Sequence, residues 1–252
     1  NLEYKVLFIF CSKMEVDEIM NIDKVVSFKF TDIVNVVNID LETFDIIIID
    51  ESQRLTKSQW DNYISLLDQG KIDKLILSVD NAQTLRPEEK ELNIEDKLKK
   101  ISENDKDKIE YVDYLTNSVR SDIELETFIK KLFDKKKSIK EIDFPKVNAV
   151  YFENENNARD FIEYCRNKEN FVPIELPECK KFKNGYVYST ELEKIYNSSN
   201  SAFNVVGREF DRVVLPLRQE ISYDSEGKLI IDTKENYRYL AENCLFQDIT
   251  RV

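Results

Sequence analysis

Histidine does not occur anywhere in the 252 residues. That absence removes Ser-His-Asp and Cys-His catalysis, together with the usual zinc hydrolases. Any catalysis must rest on carboxylates, lysine, arginine or backbone groups. Glycine occurs four times and proline five times, too few for long flexible linkers or glycine-rich loops. The four cysteines, Cys11, Cys165, Cys179 and Cys244, are scattered with no CxxC pair. Neither a zinc site nor a disulfide framework is indicated, and free, mostly buried thiols are expected. No apolar run approaches the roughly 20 residues of a membrane span, and no signal-peptide pattern opens the chain, so the expected location is cytoplasmic. Positive charge is also short. A formal charge of −12 disfavours a protein that simply coats nucleic acid. Local basic strips do occur, at Lys130, Lys131, Lys135, Lys136, Lys137 and Lys140, and at Lys180, Lys181 and Lys183. Strips of this kind are more often solvated faces than binding surfaces.

What is present centres on Phe44 to Leu55, FDIIIIDESQRL. The β-branched run Ile46 to Ile49 reads as a central parallel strand covered on both faces. It stops at two adjacent carboxylates, Asp50 and Glu51. In open α/β sheets, ligands bind beyond the carboxyl ends of the strands. Two acids there suit phosphate chemistry, one holding Mg²⁺ and the other taking a proton from an attacking water. The plain alternative is a strand ending in a polar turn.

The rest of the chain alternates in the same way. Lys5 to Phe10 and Val25 to Phe28 read as strands. Ser58 to Asp68 is an amphipathic helix with Trp60, Tyr63, Ile64 and Leu67 inward, and Gly70 stands at its C-cap. Leu75 to Val79 is the next strand, one βαβ crossover after Ile46–Ile49. Asp50 and the stretch Asp80 to Gln83 therefore fall on one sheet edge. A charged helix from Ile94 to Ile101, a strand from Ile109 to Leu115 and a helix from Asp122 to Phe133 complete a first domain, residues 1–134. The lysine-rich stretch to Pro145 reads as a linker. A second domain, 135–252, restarts with a strand at Val147–Phe152 and a helix at Ala158–Arg166. Short strands follow at Phe171–Leu176, Tyr186–Tyr188 and Arg212–Leu217, then a hairpin turn at Asp224–Gly227 and a helix from Lys234 to Phe246.

Set in order, Asp50-Glu-Ser-Gln53, Asp80-Asn-Ala-Gln83, Ser118-Val-Arg120, Gly207-Arg-Glu-Phe-Asp211 and Gln247-Asp-Ile-Thr-Arg251 resemble motifs II to VI of superfamily-1 DNA/RNA helicases. The resemblance is strongest to the bacterial Schlafen-type helicase domains. It spans nearly the whole chain, although each motif alone is a weak signal. It implies an α/β architecture of two RecA-like parallel-sheet domains of the P-loop NTPase class, with ATP hydrolysed between them. Asp50 would hold Mg²⁺ and Glu51 would orient or deprotonate water. Gln53 and Gln83 would sense the terminal phosphate. Arg120 and Arg251 would act as arginine fingers, and Glu209 would contact the nucleotide sugar beside a permissive Gly207. Single-stranded DNA or RNA would be the track, with a nuclease or other domain fused or associated. Plainer readings are a helix cap for Asp80, surface ion pairs for the arginines and a turn for Gly207.

One element of that pattern is missing. The phosphate-cradling GxxxxGK followed by Ser or Thr does not occur, and Gly70 is the first glycine in the chain. By resemblance the loop would lie just ahead of Lys5–Phe10, so it would precede Asn1, and motif VI is cut before the strand that usually follows it. A start without Met and the abrupt end favour a trimmed longer protein over natural loss of the loop. The expectation is a helicase-type motor core whose isolated chain hydrolyses ATP poorly. The alternatives are a catalytically dead RecA-like interaction module and a nucleic-acid-binding domain without ATPase activity.

Overall fold

The structure, a computed structural model, describes residues 4–14, 16–25, 28–104, 123–138, 146–178, 180–183, 186–190, 194–233 and 237–251. Contacts divide the chain into two compact units, Asn1–Tyr111 and Val112–Val252. The helix read at 122–133 therefore falls with the second unit, whereas the sequence reading placed the junction at 134.

The first unit is built on a four-stranded, wholly parallel sheet. Its strands are β1 (Val6–Phe10), β2 (Lys29–Asp32), β3 (Ile46–Asp50) and β4 (Lys74–Leu77), in the order β2-β1-β3-β4. Helix α1 (Val16–Val25) links β1 to β2, and α2 (Lys57–Asp68) links β3 to β4. The sequence reading put the second strand at Val25–Phe28 and left α1 unassigned.

Burial along β3 alternates. Ile47 and Ile49 are fully buried, whereas Ile46 and Ile48 are half-buried. Together with Leu7 and Ile9 of β1 they meet Trp60, Tyr63 and Leu66 of α2 in one core. Each such aliphatic side chain contributes about 1.5–3 kcal/mol by leaving water. The opposite face carries Phe8, stacked on Phe30 at 5.3 Å, while Ile76 of β4 remains 43% exposed. The expectation that the isoleucine run is covered on both faces is thus corrected. Four identical residues conceal a period of two, and only the 47/49 face is sealed.

Helix α2 begins with a capping box. The Gln59 amide donates to Thr56 Oγ1, and the Thr56 amide donates to Gln59 Oε1 at 2.9 Å. It ends at Gly70, whose φ of +65° suits glycine, and Lys71 N donates back to Leu66 O. Two further helices, α3 (Pro87–Leu92) and α4 (Ile94–Asn104), follow β4, with Leu92 and Ile94 joining the same core.

In the second unit, α5 (Ile123–Phe133) packs against a hairpin of β9 (Ile221–Tyr223) and β10 (Leu229–Ile231) and against α7 (Ala241–Ile249). Tyr223 Oη donates to Leu132 O, Lys228 pairs with Asp134 at 2.6 Å, and Phe133 meets Phe246 edge-on. Helix α6 (Glu155–Glu169) precedes β5 (Val172–Pro173), which pairs in parallel with β8 (Val213–Val214). Strands β6 (Lys180–Lys183) and β7 (Tyr186–Thr190) form an antiparallel ribbon. Among the described residues this unit has no sheet wider than two strands. Val147–Phe152, read from the sequence as a strand, is irregular; Tyr151 is 85% exposed, and Phe152 is anchored on Phe161. The last helix begins at Ala241, with residues 237–240 non-helical, and the start read at Lys234 lies outside the described residues.

Candidate functional site

The register of the parallel sheet brings the ends of β3 and β4 side by side, with Ile49 opposite Leu77. Ser78 N donates to Ile49 O at 3.0 Å, so the pairing runs on to the acidic pair. Asp50 is the last residue of β3. The chain then turns through Glu51, which has φ 57° and ψ 40°, a left-handed backbone uncommon for a residue with a Cβ. Residues Ser52–Arg54 form a single 3-10 turn.

The loops after β3 and β4 are cross-linked through side chains. Gln53 is 1% exposed; its Nε2 donates to Glu51 Oε2 at 2.6 Å, and its Oε1 accepts from Asp80 N at 3.1 Å. Asp80 caps the short turn Asn81–Gln83 by accepting from Ala82 N, and Gln83 Nε2 donates to Asp80 Oδ2 at 2.7 Å. The capping role considered for Asp80 is therefore present. The two glutamines expected near a phosphate are, in this state, committed to Glu51 and Asp80.

Ser78 completes the arrangement. Its hydroxyl donates to Asp50 Oδ1 and accepts from Glu51 N at 2.9 Å, while its carbonyl accepts from both Ser52 N and Ser52 Oγ. Sequence motifs did not single out this residue. The one signal that could have found it is strand register, which sets position 78 opposite position 50. Beneath the pair, Cys11 N donates to Asp50 O at 3.2 Å. Burial pushes the Cys11 thiol well up, against the pull of Arg54, so it is not a nucleophile at neutral pH.

The remaining predicted residues lie elsewhere in the chain. Arg120 is outside the described residues. Gly207, Glu209 and Arg251 belong to the second unit. Gly207 has φ +69°, and it and Glu209 are both exposed on one turn. Phe210 N donates to Arg251 O at 2.8 Å, which ties that turn to the end of α7. Arg251 is 1% exposed, and its Nε donates to Gln247 O at 3.2 Å. Asp248, three residues earlier, is fully buried with neither carboxylate oxygen hydrogen-bonded. Burial holds its carboxyl well above the usual range, and Arg251 and Lys194 only partly oppose this.

A parallel sheet whose carboxyl-terminal edge presents adjacent acids and two glutamines has the layout of an α/β ligand-binding domain. The chain belongs to the Schlafen group 3 DNA/RNA helicase domain family, whose model matches residues 13–173, well over half its length. The match takes in Asp50, Glu51, Gln53, Gln83 and Arg120 and stops before Gly207, Glu209 and Arg251. Comparison with curated proteins and with solved structures gave no match. The chain is thus a helicase-type domain with a nucleic-acid-related function. Among the described residues, no helix is long and apolar enough to cross a membrane.

Proposed function

We propose that this chain is the motor core of a superfamily-1 DNA/RNA helicase or nucleic-acid-dependent ATPase, acting on single-stranded DNA or RNA. The observation that carries the reading is the restraint of Glu51. The buried Gln53 amide holds the Glu51 carboxylate, and the Ser78 hydroxyl accepts the Glu51 N–H of a left-handed backbone, next to Asp50. A polar turn that merely ends a strand has no use for such restraint.

The donor set fits Mg²⁺. Among the described residues, no three His, Cys, Asp or Glu side chains gather as a metal cage. Mg²⁺ in nucleotide sites takes one or two carboxylates and draws its other ligands from phosphate and water. Asp50 would hold it, and the ion would supply charge neutralisation at the phosphates. Glu51 would accept the proton of the attacking water, its carboxylate aimed by Gln53. Loss of the terminal phosphate would reach the loop after β4 through Gln53 and Asp80, with Gln83 at the far end. Arg120 and Arg251 would serve as arginine fingers, and Glu209 as the ribose contact beside Gly207. With no GxxxxGK in the chain, a phosphate loop would have to be supplied to it, and the 252 residues alone would hydrolyse ATP poorly.

The test is Glu51→Gln in a polypeptide that supplies this chain with a phosphate loop. Hydrolysis stimulated by single-stranded nucleic acid should fall by about 100-fold or more, with ATP binding retained. An undiminished rate would overturn the assignment. One observation favours a second reading, a RecA-like module that binds a partner without hydrolysis: Arg251 is buried and hydrogen-bonded internally rather than presented. Under that reading Glu51→Gln changes nothing measurable in ATP turnover, because there is none.

A further inference from the structure

Residue 78 touches three consecutive residues of the acidic turn. Its hydroxyl has a single proton, which goes to Asp50 Oδ1; the same oxygen accepts the Glu51 N–H at 2.9 Å. Its carbonyl accepts Ser52 N at 2.9 Å and Ser52 Oγ at 2.5 Å. The directions follow from the chemistry of the partners, since an ionised carboxylate only accepts and an amide N–H only donates. One hydroxyl therefore fixes a carboxylate rotamer and a backbone turn together. The turn needs such a restraint, because Glu51 has a left-handed backbone without being glycine.

We infer that Ser78 is a positioning residue for the acidic pair, orienting Asp50 toward a magnesium–nucleotide and holding Glu51 beside it. The inference rests on the nucleotide-hydrolysis reading above. Ser78 is itself exposed, so water can replace its hydroxyl when the side chain is truncated. The consequence of truncation is loss of order at the turn rather than loss of the fold.

Ser78→Ala and Ser78→Thr separate these effects, since threonine keeps the hydroxyl and suits a strand end. In the first arm, NMR amide exchange is followed on this chain. Ser78→Ala should accelerate exchange at Glu51 by about tenfold, the weight of one charge-assisted hydrogen-bond relay. The Ser52 amide should stay protected, because its acceptor is the backbone carbonyl of residue 78. In the second arm, magnesium dependence is measured in a polypeptide that supplies this chain with a phosphate loop. Ser78→Ala should raise the half-saturating Mg²⁺ for hydrolysis by about tenfold, and Ser78→Thr should restore it to within about threefold. The proposal is overturned if Ser78→Ala leaves either the Glu51 amide or the magnesium requirement unchanged, or if threonine rescues neither. If the wild-type polypeptide turns over no nucleotide, the hydrolysis reading falls and takes the positioning role with it. Faster Glu51 exchange in Ser78→Ala alone would then retain only the restraint on the turn.

Discussion

Gln53 is the residue whose removal tests the architecture of the site most directly. Its side chain is sealed from solvent and makes two hydrogen bonds, one to the Glu51 carboxylate and one from the Asp80 amide. A hydrogen bond to a charged group is worth about 1.5–3 kcal/mol and a neutral one about 0.5–1.5 kcal/mol, so losing both costs about 2–4.5 kcal/mol. Gln53→Met removes the bonds while nearly conserving volume, and Gln53→Ala adds a void to the same loss. The single tryptophan, Trp60, lies 5% exposed in the core of the first unit. Its fluorescence during urea unfolding therefore reports on the unfolding of that unit. The Met variant should shift the Trp60 transition to lower urea by the hydrogen-bond loss, and the Ala variant should shift it further. Amide exchange at Asp80 should quicken in both variants, since its acceptor is gone. A Met variant within about 0.5 kcal/mol of wild type, with Asp80 protection intact, would refute the claim that Gln53 ties the two loops together.

Three other perturbations follow from the same geometry. Thr56→Ala removes the acceptor of the α2 capping box and should lower stability by about 0.5–2 kcal/mol, read by the same Trp60 transition. Asp134 has a carboxyl held below its usual value, chiefly by the hydrogen bond from Lys228, so the contribution of this pair is present above the ordinary aspartate pKa and lost as pH falls through the depressed one. Lys135 donates to Gly227 O beside that pair, and its amide chemical shift should move over this acid window in wild type but not in Asp134→Asn. Asp248 shows the opposite sign: burial raises its folded value, so stability is fullest below its ordinary 3.8 and declines as pH rises toward the raised value. Asp248→Asn should flatten that decline, giving a variant more stable than wild type at neutral pH in thermal unfolding and nearly equal to it near pH 4.

The strands and helices that carry the site were legible in the sequence because their signals are local. Ile46–Ile49, Leu75–Val79 and the Trp60/Tyr63/Leu67 spacing each fix an element, and a βαβ connection admits essentially one way to place them in a sheet. The helix Val16–Val25 was missed although Val16, Ile19, Ile22 and Val25 recur every three residues, because ten residues are too short a window for the period to stand out. Val147–Phe152 was misread because its alternation is that of a strand, yet a strand needs a neighbour with free hydrogen-bonding groups, and periodicity contains no information about neighbours. The same limit explains Arg212–Leu217, of which only Val213 and Val214 pair.

At the site, Asp50 and Glu51 stand out as residue types at a strand end, whereas the groups that orient them do not. Gln53 could be named as polar and close by, but its burial and its two partners depend on where β4 lies. Ser78 carries no signal beyond lying in the strand read at Leu75–Val79, and becomes meaningful only through the register that sets it against Asp50. At Arg251 the sequence shows the residue type but not its surroundings. An arginine after Asp-Ile-Thr invites a role at a phosphate, yet the side chain is interior, bonded to Gln247 O, with Asp248 buried nearby. At Asp248 desolvation outweighs the pull of the Arg251 guanidinium, so their attraction does not account for the two groups being buried together. For Arg251 to meet a nucleotide, the end of α7 must therefore change its packing. The unbonded carboxylate oxygens of Asp248 and the unbonded side-chain amide of Gln247 mark where that packing leaves polar groups unsatisfied.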